Sequence, residues 1–177
     1  MCAIEVTPTI GTERLVLRGA VRTDAPAIRE ILDDFNVAAM TASVPHPYGL
    51  QDAEAWLERA MMRDWDREPG FVIEHRNFGV VGMLGFKTGA QGRPDLGFSL
   101  GRRYWNRGYA TEAVRAALKW VKRDWRKNVV VAGHFSDNPA SGQVLCKAGF
   151  LYTGDVALLR SQAKNADVPT RMMVWLA

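Results

Sequence analysis

At 177 residues the chain has the length of one ordinary domain, since domains cluster near about 100–150 residues and divide only beyond roughly 250. With 47% hydrophobic and 24% charged residues it is not a disordered segment, because such chains bury too little apolar surface to offset their ordering entropy. A net charge of +4 leaves two kinds of partner open, a nucleic acid or a small molecule that carries several phosphates.

No repeat, low-complexity tract or Pro/Gly/Ser-rich linker breaks the sequence, so 1–177 is expected to form a single domain. Cys2 and Cys146 are too few for a disulfide framework and point to a reducing compartment. The opening MCAIEVTPTIGTER has neither the basic region nor the apolar stretch of a secretory signal, and no later apolar run approaches the roughly 20 residues of a membrane span. A cytoplasmic protein is expected.

Residues 13–18 (ERLVLR) alternate apolar and charged and read as a strand. Thr23-Asp24-Ala25-Pro26 then supplies a cap and an early-turn proline for a helix whose face carries Ile28, Ile31, Leu32 and Phe35. After an extended stretch held by Pro45 and Pro47, the spacing of Ala53, Trp56, Leu57, Ala60 and Met61 predicts a second amphipathic helix. From Gly70 the period becomes that of strands: 71–75 and 80–87 form a hairpin around Arg76–Gly79, and 95–100 follows. Residues 109–125 are a helix with Ala110, Ala113, Val114, Ala117, Leu118 and Val121 inward. The run 129–132 is a strand, and the next helix is marked by Asn138 as N-cap, Pro139 at its first position, Lys147 in its last turn and Gly149 past its end. Strands near 150–159 and 170–176 close the chain. Hairpins mixed with helical crossovers predict an α/β fold, a mixed sheet with helices on its faces.

In residues 95–112 (DLGFSLGRRYWNRGYATE) a strand runs through a basic, glycine-containing turn directly into a helix. The first amides of a helix lack internal partners and its dipole is positive there, so this turn suits a phosphate, with Gly108 and Ala110 permitting close approach. Neither G-x-G-x-x-G nor G-x-x-x-x-G-K-[ST] is present, and by itself the turn would equally serve as a tight strand-to-helix connection that binds nothing.

The run Tyr104-Trp105-Asn106-Arg107-Gly108-Tyr109-Ala110-Thr111-Glu112-Ala113 resembles the pyrophosphate-binding motif of the GCN5-related N-acetyltransferases. Asn138-Pro139-Ala140-Ser141, Val144-Leu145 and Lys147-Ala148-Gly149-Phe150 are similar to a second signature of that family's ribosomal-protein N-terminal acetyltransferase branch. Thr12-Glu13-Arg14-Leu15 and Pro47-Tyr48 resemble its opening strand and early loop. The resemblance implies a mostly antiparallel sheet in which two central parallel strands, here 95–100 and 129–134, splay apart. It implies acetyl-coenzyme A as co-substrate, with the pyrophosphate on the backbone of Arg107, Gly108, Ala110 and Thr111 and the pantetheine arm along the strand ending at Leu100. Phe98, Arg102, Arg103, Asn106, Tyr109, Asn138, Ser141 and Lys147 complete the implied cofactor set. One departure is Trp105, where the family pattern has Gln or Arg.

Acetyl transfer to an amine needs a neutral amine, a polarised carbonyl and a stabilised thiolate, and no metal is expected, since the three histidines and two cysteines show no ligand spacing. As base, Asp95 is a candidate against the alternative of an exposed turn residue, and His134 against that of a satisfied strand histidine. Glu112 reads as a dipole-matched acid of a first helical turn. Many relatives place a tyrosine at the position of Leu145, so the resemblance turns to Ser141 as partner of the thiolate, against a plain helix serine. Cys146 reads as a small buried hydrophobe.

Arg102, Arg103, Arg107, Arg115, Lys119, Lys122, Arg123, Arg126 and Lys127, interleaved with Trp105, Trp120 and Trp125, leave open an RNA- or ribosome-binding face or a solvated helix surface. A cofactor-binding module without catalysis is a further alternative. The acceptor is expected between the two early helices, the loop around Val44–Tyr48 and a 155–168 loop. It is an N-terminal α-amine or else a small amine, amino acid or antibiotic. A homodimer and association with the ribosome are the assemblies the resemblance suggests.

Overall fold

The computed structural model describes residues 8–177; the readings of Cys2 and of the opening segment through Thr7 lie outside the described residues. The chain begins with a two-residue strand too short to show a period in the sequence, β1 (Ile10–Gly11), followed by β2 (Leu15–Arg18), α1 (Ala25–Leu32), α2 (Phe35–Ala38) and α3 (Leu50–Met61). Then come β3 (Gly70–His75), β4 (Gly79–Thr88), β5 (Pro94–Leu100), α4 (Tyr109–Arg123), β6 (Val129–Phe135), α5 (Pro139–Lys147), β7 (Leu151–Ser161) and β8 (Ala166–Leu176). Among the described residues no helix is long and apolar enough to cross a membrane.

The strands form one sheet in the order β1-β2-β3-β4-β5-β6-β8-β7, antiparallel at every junction except β5–β6. Alternation along each strand sends side chains to two separate cores. On one face Leu84 and Phe86 of β4, Leu96 and Leu100 of β5, and Val130 and Ala132 of β6 pack against Ala113, Val114, Ala117, Leu118 and Val121 of α4 and Leu145 of α5. On the other, Met83 joins Ile28, Ile31 and Leu32 of α1 with Ala53 and Leu57 of α3. This is the expected mixed α/β arrangement with helices on both faces.

Three local expectations are corrected. Asp24 precedes α1 as expected but its carboxylate does not cap that helix; it binds Arg18 and accepts from the Val21 amide at 2.9 Å. The apolar stripe through Phe35 ends early because Asp34 turns extended and caps α2, accepting from the Asn36 amide, which leaves Phe35 half exposed on the His46 ring. The supposed 155–168 loop is a hairpin, with β7 running to Ser161 and β8 starting at Ala166.

Only Asp95↔Val131 and Leu96↔Ala132 pair across the parallel junction, although β5 continues to Leu100 and β6 to Phe135. The two strands therefore diverge above these pairs, and their inner edges face each other without hydrogen bonds between them.

Candidate active site

The turn from β5 to α4 is shaped by backbone. Asn106 and Gly108 both have left-handed φ, 58° and 81°, and Gly108 is the N-cap of α4, so the amides of Tyr109, Ala110 and Thr111 open outward without intrahelical acceptors. Trp105, the departure from the family pattern, supports the turn through its side chain. Its indole donates to the Leu100 carbonyl at 2.9 Å and ties the turn to the strand end.

A clamp invisible to local reading supports this turn. Glu112, in the first turn of α4, accepts from the Thr12 hydroxyl at 2.6 Å, the Arg14 amide at 2.9 Å and Arg14 Nε at 2.7 Å. Arg14 also donates to the Arg107 carbonyl at 3.0 Å and lies over the Tyr109 ring. Burial alone would raise the Glu112 pKa, but these donors outweigh it and hold the carboxyl below its usual range. Glu112 is thus more than a dipole-matched acid. Thr12 and Arg14 lie in the segment that resembles the family's opening strand, yet nothing in that segment signals its partner across about a hundred positions.

Asn138 caps α5 as expected, its side-chain oxygen accepting from the Ser141 amide at 3.3 Å. Ser141 and Leu145 share one face of α5; Leu145 is fully buried in the core, so no polar side chain stands where many relatives keep tyrosine. Pro139, Gly142, Gln143, Cys146 and Lys147 form a different face, which with His134, Ser136, Tyr152 and Arg171 lines a cavity of about 330 Å³ over β7 and β8.

Several expected site residues are placed otherwise. His134 lies under that second face of α5, with Nδ1 at 2.9 Å from the Phe135 carbonyl and Nε2 at 3.0 Å from the Tyr152 hydroxyl. Both ring nitrogens are engaged and the ring is buried, the arrangement of a satisfied strand histidine. Cys146 is exposed and not buried, because the helix turns it toward the cavity. Lys147 is not brought together with Ser141; its carbonyl accepts from Arg115 Nη2 at 2.6 Å. The side chains of Arg102 and Arg103 turn to Asp34 at 2.8 Å and Glu30 at 3.1 Å, away from the phosphate turn. Phe98 packs against the α4 core with its strand neighbours Leu96 and Leu100.

Asp95 differs from the exposed turn residue that was its alternative. By strand alternation it points with Ser99 to the face of Met83, α1 and α3, and burial pushes its carboxyl up, partly offset by Lys87. The same face is closed above by the β7–β8 hairpin, where Ser161 Oγ donates to the Thr41 carbonyl at 3.3 Å and the Gln162 amide to Ala42 at 3.0 Å. Asp33 fixes the following loop by accepting from the Tyr48 amide at 2.8 Å, and burial pushes the Tyr48 hydroxyl up to about 12.

Of the three tryptophans in the basic run, Trp105 is 38% exposed and the other two pack partly into the core. Trp120 packs on Phe71 and Trp125 on Phe86, with ring centroids 5.5 and 5.4 Å apart, so neither offers a platform to a base. Arg115 and Arg123 are engaged by the Lys147 carbonyl and Asp124.

Comparison with known proteins agrees with this geometry. The Acetyltransferase (GNAT) domain family matches residues 14–151, and the chain belongs to that family. It is an N-acetyltransferase that uses acetyl-coenzyme A. The chain is 27% identical over 158 residues to the N-acetyltransferase YoaA of Bacillus subtilis (strain 168), covering 83% of this chain and 85% of that protein. It is 27% identical over 92 residues to the ribosomal protein uS5-alanine N-acetyltransferase of Escherichia coli (strain K12), covering 49% of this chain and 47% of that one. The structure of RimL, a ribosomal L7/L12 alpha-N-protein acetyltransferase in complex with coenzyme A, superposes with a TM-score of 0.83 at 15% identity, covering 96% and 98% of the two chains.

Proposed function

We propose that the acceptor is the α-amine of a protein or peptide N-terminus, and that this amine attacks the carbonyl carbon of the acetyl thioester directly. The observation that carries this reading concerns the two candidate bases: His134 has both ring nitrogens engaged, whereas Asp95 is raised by burial, a direction that suits a proton acceptor of moderate strength. A lysine ε-amine, near pKa 10.4, is almost wholly protonated at neutral pH, whereas an α-amine near 7.7–8.0 is partly neutral already. The gap of roughly 2.5 units corresponds to about 3.4 kcal/mol that a lysine-directed site would have to supply by other means. The names of the uS5-alanine and L7/L12 enzymes support the same acceptor.

In this reading the amides from Arg107 to Thr111 hold the pyrophosphate, and the inner edge of β5 holds the arm that brings the acetyl thioester into the gap beside β6. Asp95 receives the proton released as the carbon–nitrogen bond forms, directly or through a water. Ser141, on the face of α5 toward the gap, donates to the sulfur as the carbon–sulfur bond breaks. Residues 1–177 act as one domain, in the cytoplasm, with a homodimer and a ribosome-bound nascent or mature protein as partners.

The test is a peptide that carries a free α-amine and a lysine, with the acetyl group located by fragmentation in a mass spectrometer. Modification at the N-terminus is the expected result. Predominant modification at lysine, or at small amines in preference to peptides, overturns the reading.

A further inference from the structure

Arg63 follows the end of α3, and its side chain lies on the sheet where β3 and β4 meet. Its Nη1 stands 2.9 Å from the place of a Cβ on Gly70 and 3.3 Å from that of one on Gly85. These two glycines oppose each other, and Gly85 in turn opposes Gly97 on β5. Gly97 shares its face with Asp95, two residues away on the same strand. A side chain on Gly70 or Gly85 would push the guanidinium off the sheet, whereas nothing lies within 4 Å of where a Cβ on Gly97 would stand. The cation thus rests on bare backbone, with open space beside it at Gly97.

This guanidinium is partly buried, yet among the described residues it donates no hydrogen bond and forms no ion pair. Burial pushes its pKa down; the field of Glu68 opposes this and Arg59 adds to it. Glu68 does not meet it, because that carboxylate accepts from the Thr88 amide at 2.9 Å. A guanidinium has donors and no acceptor, so a partly desolvated one without a partner is stabilised by any carboxylate brought to it. Lys87 also shares the face, but it opposes Asp95 and acts on that group.

We propose that Arg63 selects the acceptor by binding a carboxylate on the side chain of its second or third residue while the α-amine lies at the gap between β5 and β6. This rests on the reading of the acceptor as a peptide N-terminus. Gly97 is the first residue of β5 beyond the last cross-strand pair, Leu96↔Ala132, so the open floor adjoins the place where the thioester arrives. With strands about 4.8 Å apart, the guanidinium stands roughly 10 Å from the middle of the gap. A hydrogen bond of about 2.8 Å leaves roughly 7 Å between amine and carboxylate, the reach of about two extended residues. A free amino acid carries its carboxylate on the same carbon as its amine and cannot span that distance. The acceptor then lies with its amine toward Asp95 and its acid on Arg63.

The test is steady-state kinetics on lysine-free peptides that differ only in aspartate against asparagine at the second and third residues. A matched set has a blocked N-terminus and one lysine preceding the same residues. The parent is expected to favour the acidic peptide by about tenfold or more, through KM and not kcat. Arg63→Met, which keeps the apolar stem, should treat the two peptides alike, and Arg63→Lys should recover part of the preference. Heat denaturation separates recognition from scaffolding: removing a partly buried charge that has no partner should leave the melting temperature of Arg63→Met at or above the parent's. A parent that acetylates acidic and neutral peptides equally overturns the proposal, as does a preference that survives in Arg63→Met. Faster transfer to lysine in the blocked set counts against the N-terminal acceptor alone, because the ratio of acidic to neutral peptide in that set still reads Arg63.

Discussion

Burial pushes the Asp95 carboxyl up, while Thr12 and Arg14 hold Glu112 low against the same pressure. The two acids therefore respond oppositely to pH. For Asp95 the unfolded chain loses its proton first, so its contribution turns unfavourable as pH climbs from the unfolded to the folded value and stays so above it. Asp95→Asn is expected to raise the melting temperature at neutral pH, to lose that gain as the solution is acidified, and to lower acetyl transfer throughout. Thermal denaturation across a pH series, paired with a thiol-release assay, checks both halves; a variant that is stabilised and fully active removes Asp95 from the chemistry. Gly108 is sensitive for a different reason, because its φ of 81° excludes a β-branched residue and a Cβ there would lie 3.3 Å from Arg14 Nη2. Gly108→Val should cost roughly 1–3 kcal/mol in strain and most of the affinity for acetyl-coenzyme A in calorimetric titration. Gly108 was legible in the sequence because a local turn demands it. Glu112 was only half legible, since its partner Arg14 enters the picture 98 positions away.

α5 carries Asn138 and Ser141 at its N-terminal end and is seated on the sheet through Leu145 and Gly142. At Gly142 a Cβ would come within 2.7 Å of both His134 Nε2 and the Tyr152 hydroxyl, so the close approach of the helix at this position requires glycine. Gly142→Ala is expected to displace the whole element, costing about 1–3 kcal/mol and lowering both affinity for acetyl-coenzyme A and turnover. Ser141→Ala leaves the seat intact and should lower turnover with affinity within a few fold. Equal losses in the two variants would make Ser141 a binding residue. The helix ends were readable because Asn138, Pro139 and Gly149 are chemical stop and start signals, and Gly149 indeed has a φ of 101°. Helical spacing failed where the chain left the helix while the pattern ran on, as at Phe35, or where the outer face carried an apolar residue, as with exposed Met61 and Cys146. The β7–β8 hairpin was cut short for a related reason: Asp155, Asn165, Asp167 and Pro169 look like loop chemistry, whereas the extended form is held by its ladder from Val156 to Ser161 and by docking of its tip on Thr41 and Ala42.

Across the whole molecule, the order of strands and helices was readable because periods of two and of 3.6 residues alternate cleanly along the chain. The divergence of β5 from β6 was not written in any period and entered only through family resemblance. Its extent is a tertiary property: two residue pairs, Asp95↔Val131 and Leu96↔Ala132, are the whole junction between a five-stranded plate and a three-stranded one. Above this seam the inner edges, its open lips, lack ladder partners, and those amides of Gly97–Leu100 and Gly133–Phe135 that point into the gap should exchange their hydrogens with solvent faster than the amides paired to β4 and β8. An arm lying in the gap would serve as a temporary strand between the plates. Deuterium uptake at the lips should therefore slow when acetyl-coenzyme A is added, and slow less with desulfo or truncated forms that lack the pantetheine amides. The enzyme's stiffness is then partly borrowed from its co-substrate and is given back each time the product leaves.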